Sequence, residues 1–541
     1  MIGQTIAEVF GHILFSFTRS VAEHYNFHEG ENQSAIFGYN TLDDTGKEWY
    51  SQPADEVIYQ EYSNSEAVAR DYLTSNRPDV KIIDASSTDY SEQSQEVSNE
   101  RAMAWKQLRP SIVNTIRSSL SFALFISILT AFTVGLASIV SFYFSFQIQL
   151  ICLSVPKESI PFKLQWSMTL SKVFSNSFIY LSFVLNILCY FQSFQIWGLR
   201  SKLFLLCLGF YLLDSAYRIT MQAFGISHSF LTSWQRIAPK AMYYTNVCLQ
   251  LCMLARHFYP RPRKKQIKIV LVLMLVCVST QLSAELVANF VYPAYNKQQI
   301  SGKIIIAIFA PLITVLLKGF SRICVQRLWC RISHPATSFV LLVPLYCGSA
   351  VMMRLLQVDL QSLESVALIG VIHGIAEVFE RSTMVFIDHF YHQALEKRKL
   401  PWGGFRTPRR ERLAADICIM SMLYESSAII SVNGFLYLYQ YFYIANNTPL
   451  ELLQSFALTT SVPLFIEWFF TSVSIAIETH YQNMPVMAVW RRRWKRHIAV
   501  AVVNIVMISI WASTNLLITI RGRFAKETTK DHCKMPFSSR P

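Results

Sequence analysis

Apolar stretches about as long as a bilayer is thick recur along this chain between residues 119 and 519, and few folds can absorb them. A helix crossing a hydrocarbon layer of ~30 Å needs about 20 mostly apolar residues. Eleven stretches meet or approach that length: 119–150, 173–197, 203–222, 241–258, 266–291, 304–321, 336–356, 365–390, 414–444, 451–478 and 498–519. The fourth is short and amphipathic and could lie along the membrane surface instead, so the expected count is ten or eleven. At 52% hydrophobic, 14% aromatic and only 16% charged residues, a soluble chain of 541 residues would lack polar groups to cover its surface. The expectation is an all-α, polytopic integral membrane helical bundle spanning 101–521.

Outside that domain the sequence changes character. Residues 1–25 place Ile2, Ile6, Val9, Phe10, Ile13, Leu14, Phe17 and Val21 at helical spacing, which predicts an amphipathic helix docked on the protein or lying in the interface. Residues 26–100 hold sixteen acidic against four basic residues, a net of −12, and read as a flexible acidic cytosolic tail able to bind a protein partner. Residues 522–541 form a short basic tail.

The chain as a whole is +14, so residues 101–541 carry +27. Basic charge of this size can signal nucleic acid, but here it alternates between connectors, which points to a membrane topology and no nucleic-acid partner. Connectors with Arg256 to Lys268, with Lys318, Arg322, Arg327 and Arg331, with Lys397 to Arg412, and with Arg491 to Arg496 are rich in Lys and Arg. Those at 357–364 and 445–450 have none. Positive connectors stay inside, which sets the N-terminus in the cytoplasm of an endomembrane or plasma-membrane protein. The bare connector carries Asn446-Asn447-Thr448, so Asn446 is a candidate glycosylation site facing outward.

The eighth stretch, SVALIGVIHGIAEVFERSTMVFIDHFYH over 365–392, carries an unusual burden. On a helical wheel His373, Glu377, Glu380, Arg381, Asp388 and His392 fall within about 120°. A charge near the centre of a membrane costs roughly 2.5–3.5 kcal/mol on insertion scales, so this stripe must face protein or water. The tenth stretch repeats the pattern, with Thr460, Pro463, Glu467, Thr471, Ser474 and Glu478 within about 80°. Glu285, Glu425 and Asp214 add acids, while Arg218, Arg354 and Arg381 supply fewer bases. Asp214 and Arg218 are four apart and can pair within one helix. Pro311, Pro344 and Pro463 interrupt apolar runs, as breaks at binding sites do.

Two carboxylate stripes facing one interior suggest a transporter or channel-like protein that moves a proton, a cation or a proton-coupled small solute. Its pathway candidates are Glu377, Glu380, Glu467, Glu425, His373, Arg381, Arg354, Asp388, Glu478 and Glu285. Excess acid favours cations over anions, and burial favours the protonated carboxyl, which suits proton exchange. A membrane-embedded lipid-modifying enzyme of acyltransferase or hydrolase type, centred on His373, is an alternative. A receptor or scaffold whose polar stripes only lock helices together is another. His373 with Glu377, and Asp388 or His389 with His392, have spacings seen in metal sites, but the second histidine of HExxH is missing. Ten of the eleven cysteines sit in or beside apolar runs, where thiols are packing residues. There is no Gly-rich phosphate loop, no GxSxG elbow and no CxxC pair. No metal or cofactor is expected, and the oligomeric state is open.

Overall fold

The computed structural model describes residues 112–149, 160–191, 196, 198–226, 233–258, 263–329, 335–358, 362–397, 408–443, 448–480, 482, 484 and 486–524. The segments 1–25 and 26–100, Asn446 and most of 522–541 lie outside the described residues. Within them the chain is helical and contains no strand. In order, the helices are α1 (Ile112–Thr130), a π-helical turn (Ala131–Gly135), α2 (Leu136–Gln149), α3 (Phe162–Tyr190), α4 (Arg200–Ala223) and α5 (Ser233–Phe258). Next come α6 (Arg263–Leu286), a second π-helical turn (Val287–Val291), α7 (Tyr292–Asn296) and α8 (Ile300–Trp329). A 3-10 segment (Pro335–Leu341) then leads into α9 (Val343–Val358), α10 (Leu363–Lys397), α11 (Pro408–Tyr443), α12 (Pro449–His480) and α13 (Val486–Arg523).

Helix stands at each of the eleven apolar stretches, and among the described residues seven helical runs are long and apolar enough to cross a membrane. The seven runs are Ile112–Ser145, Phe162–Tyr190, Arg200–Ala223, Gln266–Leu286, Leu413–Tyr441, Pro449–His480 and Arg493–Ser513. Three of the other four have visible reasons to differ. α9 has 16 residues, α10 carries Glu377, Glu380 and Arg381 in its middle, and α5 mixes Arg236, Lys240, Asn246 and Gln250 into its apolar run. Large apolar side chains line the outside, with Phe132 74% and Leu316 75% exposed. Exposed apolar area on that scale is unusual for a water-facing surface.

The prolines do not break their helices. α12 continues through Pro463 and α8 through Pro311, whereas Pro344 sits in the first turn of α9, where its missing N–H costs nothing. Among the described residues the irregular backbone falls at the two π-helical turns and at Arg493, where α13 kinks.

α11 is the axis of the bundle. It packs on α1, α2, α9, α12 and α13, and 89% of its most apolar window is buried, against 56% or less in the other six. Its sequence lacks an amphipathic face, as expected of a helix surrounded by others. Helices α3 to α6 follow one another around one side of this centre, each packed on the next.

Small polar side chains join the helices where backbones come close. Ser138 on α2 meets Ser509 on α13 at 2.6 Å, and Ser279 on α6 meets Ser321 on α8 at 2.6 Å. Asn186 on α3 and Asn504 on α13 each donate an amide hydrogen to the other's carbonyl oxygen, at 3.0 and 2.9 Å. Asn504→Leu should therefore lower stability by about 1–2 kcal/mol by stranding the Asn186 amide. Asn186→Leu combined with it should recover most of that loss in a thermal melt. A double variant that is no better than the single one would mean the amide pair contributes nothing.

Candidate functional site

Three helices bring polar stripes to one seam. α10 contributes His373, Glu377 and Arg381 at i, i+4 and i+8, α12 contributes Glu467, Thr471, Ser474 and Glu478, and α11 contributes Cys418, Ser421 and Glu425. At 1.5 Å per residue the α12 stripe runs for about 16 Å. Arg354 reaches in from α9.

The ladder has two halves. In one, Arg381 makes a two-pronged contact with Glu478, Nε donating to Oε1 and Nη2 to Oε2, both at 2.7 Å. Cys418 Sγ donates to the same Glu478 Oε1 at 3.0 Å. Arg381 Nη1 also stands 3.6 Å from Glu377 Oε1, which accepts a hydrogen bond from Ser421 Oγ at 3.1 Å. In the other half, Arg354 Nη2 donates to Glu467 at 2.9 Å and to Glu425 at 3.4 Å. Its Nη1 donates to Gln357 at 2.9 Å, and Thr471 donates to Glu467 at 3.2 Å. His373 Nε2 is 3.4 Å from Glu425 Oε2, near enough for attraction but without hydrogen-bond geometry.

Every carboxylate and guanidinium in these two halves is 7% exposed or less. Four carboxylates, on Glu377, Glu425, Glu467 and Glu478, face two guanidinium groups, on Arg354 and Arg381. A charged His373 would balance one of the two surplus negative charges. The other can be met by a proton, by a cation or in part by the buried Lys318 of α8, which acts on Glu425, because a net charge buried among apolar helices is costly. Glu377 Oε2 and Arg354 Nε are buried and make no hydrogen bond among the described residues.

Of the ten pathway candidates, seven meet here: His373, Glu377, Arg381, Arg354, Glu425, Glu467 and Glu478. Glu380 sits at the edge, 3.4 Å from Lys318 of α8. Glu285 is elsewhere, paired with Lys240 at 3.3 Å. The side chain of Asp388 lies outside the described residues.

Other buried charges went unmarked in the sequence. Lys318 and Arg322 read there as connector charges, but α8 runs on to Trp329 and turns both inward. Lys318 lies over the Tyr346 ring at 4.8 Å, and Arg322 donates to the Met384 carbonyl at 3.2 Å. Asp416 and His497, at the ends of two apolar runs, also form a buried pair, with Nε2 2.9 Å from Oδ1. His497 Nδ1 is 3.0 Å from the Arg493 carbonyl, and its ring stacks on Phe339 at 5.0 Å. Both ring nitrogens thus face oxygens. A missed sequence signal does exist for the α10–α12 crossing: Gly370 and Gly374 form a G-x-x-x-G pattern, which lets helices approach closely.

A separate cavity of about 690 Å³ lies between α3, α4, α5, α6, α8, α9 and α13. No α10 or α12 residue lines it. Its walls are mainly apolar and hold the Asp214–Arg218 pair, in which Arg218 Nε donates to both carboxylate oxygens at 3.1 Å. Asn176 donates to the same carboxylate at 2.8 Å. α9 borders both compartments: Leu345, Gly348, Ser349 and Met352 line the cavity, while Arg354, two residues on, points into the ladder.

No family model, curated protein or solved structure matches this chain.

Proposed function

We propose that the chain crosses a membrane as a polytopic helical bundle, with its N-terminus cytoplasmic, and acts as a carrier driven by protons or cations. The observation that supports this reading is the charge imbalance of the ladder, where four buried carboxylates share two guanidinium groups and one imidazole. An intramembrane ionisable cluster lies by default on an ion, proton or substrate path. The Arg381–Glu478 fork is the fixed element, a two-pronged and charge-matched contact. The Arg354, Glu425, Glu467, His373 and Glu377 groups are where a proton or cation is taken up and released, since their acids outnumber their bases.

The test uses the full chain in liposomes. On acidification, the infrared band of protonated carboxyls should lose amplitude in Glu377→Gln, Glu425→Gln or Glu467→Gln. Acid-driven quenching of a trapped pH dye should slow in the same variants by about tenfold, or 1.4 kcal/mol of barrier. Variants that elute as wild type, and keep both the band and the rate, would overturn the carrier reading.

A further inference from the structure

We infer that the 690 Å³ cavity binds an amphiphile with one anionic head group and a long apolar body, its head held at Lys172. This deepens the carrier reading by naming the class of cargo, and rests on that reading for movement but not for binding.

The cavity volume lies in the range of small-molecule sites, about 300–1,000 Å³. Its lining is largely aliphatic and aromatic, with Phe183, Val247, Met274, Leu345, Met507 and Trp511 among its walls. Such a surface matches a hydrocarbon body. The charges on its walls nearly cancel. Arg218 pairs with Asp214 at 3.1 Å, and Lys240 pairs with Glu285 at 3.3 Å, both more exposed than the rest. Lys172 is left. It lines the cavity, stands within electrostatic reach of the Asp214–Arg218 pair, and makes no hydrogen bond or ion pair among the described residues.

Lys172 is itself half-buried. Lys172 is ten residues into α3, about 15 Å along the axis from Phe162. An ammonium on a four-carbon stem cannot reach the helix end from there. A second group points to a polar ligand atom as well. Tyr180, two turns along the same face of α3, lines the cavity and is 3% exposed. Its hydroxyl is buried without a hydrogen-bond partner, although its ring is fixed edge-on against Tyr211 and Tyr243. Buried polar groups are normally satisfied. One anionic head group would neutralise Lys172, and a second oxygen on it could accept from Tyr180. A doubly charged head would leave a negative charge unpaired, so a monoanion fits best.

The anion can come from a free long-chain carboxylate or from an anionic lipid of the bilayer. Displacement of a fluorescent fatty acid from the purified full chain distinguishes the two. Oleate should displace it at least tenfold more strongly than methyl oleate, which has the same body without the charge. Lys172→Met should remove that preference, and Lys172→Arg should keep it. Mixed micelles containing phosphatidylglycerol that compete as well as oleate would assign the site to lipid, and micelles of phosphatidylcholine that do not would confirm the need for the anion. Equal displacement by oleate and methyl oleate, or an unchanged preference in Lys172→Met, would overturn the assignment. Lys172→Met should also melt at a higher temperature than wild type without ligand, because it removes an unpaired charge. A lower melting point would show that Lys172 is structural. Glu467→Gln should bind oleate as wild type does, so a failure of binding and a failure of proton exchange are separate results.

Discussion

Arg381→Gln should destabilise the bundle by about 3–5 kcal/mol, the cost of removing one partner from a buried ion pair. The substitution strands Glu478, whose side chain is 1% exposed, and takes away the nearest positive charge to Glu377. Neither acid can move to water, because Glu478 is also held by Cys418 and Glu377 by Ser421. Arg381→Lys should recover only part of the loss, since an ammonium cannot reproduce two parallel contacts at 2.7 Å. Arg381→Gln combined with Glu478→Gln should be more stable than Arg381→Gln alone, because the uncompensated carboxylate is gone. Thermal melts and the monodisperse fraction in detergent read out all four chains. If Arg381→Gln melts like wild type, the fork is not what holds α10 to α12.

Gly374→Val should cost about 1–3 kcal/mol or more by overpacking the same crossing. A β-carbon at residue 374 would lie 2.6 Å from Cγ of Phe470 on α12. That atom is close to the Phe470 backbone, so no swing of a flexible end relieves the clash. Either the ring leaves its rotamer or α10 and α12 separate, and separation would also stretch the Arg381–Glu478 fork. Gly370→Ala is the control, because its β-carbon would meet Ile466 Cδ1 at an ordinary 3.5 Å. Phe470→Leu in the Gly374→Ala background should restore stability. Equal melting points for Gly370→Ala and Gly374→Val would show that the crossing is looser than the distances imply.

These two results bear on how much could be read before the structure. Helical periodicity drew His373, Glu377 and Arg381 onto one stripe and Glu467 and Glu478 onto another, and the cost of charge among apolar residues required both to turn inward. Periodicity constrains one helix at a time. It could not give the partner of each acid, so the division into a fixed fork and a carboxylate-rich half was not legible. Lys318, Arg322, Asp416 and His497 escaped for a related reason. They sit where an apolar run ends, and a charge there is ordinarily solvated; only tertiary packing folds them inward. The cavity was the least legible part, because seven helices from distant parts of the chain supply its walls and most of its lining is ordinary aliphatic and aromatic side chains. Of its charges only Asp214, Arg218 and Glu285 stood out, and Lys172 did not, being a single base in an otherwise uncharged stretch of α3.

Met352 and Arg354 are two steps apart on a rod of 16 residues, about 24 Å long. An element this short has little room to flex between them, so a shift of its axis moves both residues together. Filling the apolar chamber past Met352 would therefore tug the guanidinium that Glu425 and Glu467 share. Mechanical advantage of this kind requires no relay of intermediate side chains, only a stiff beam with a different load on each face.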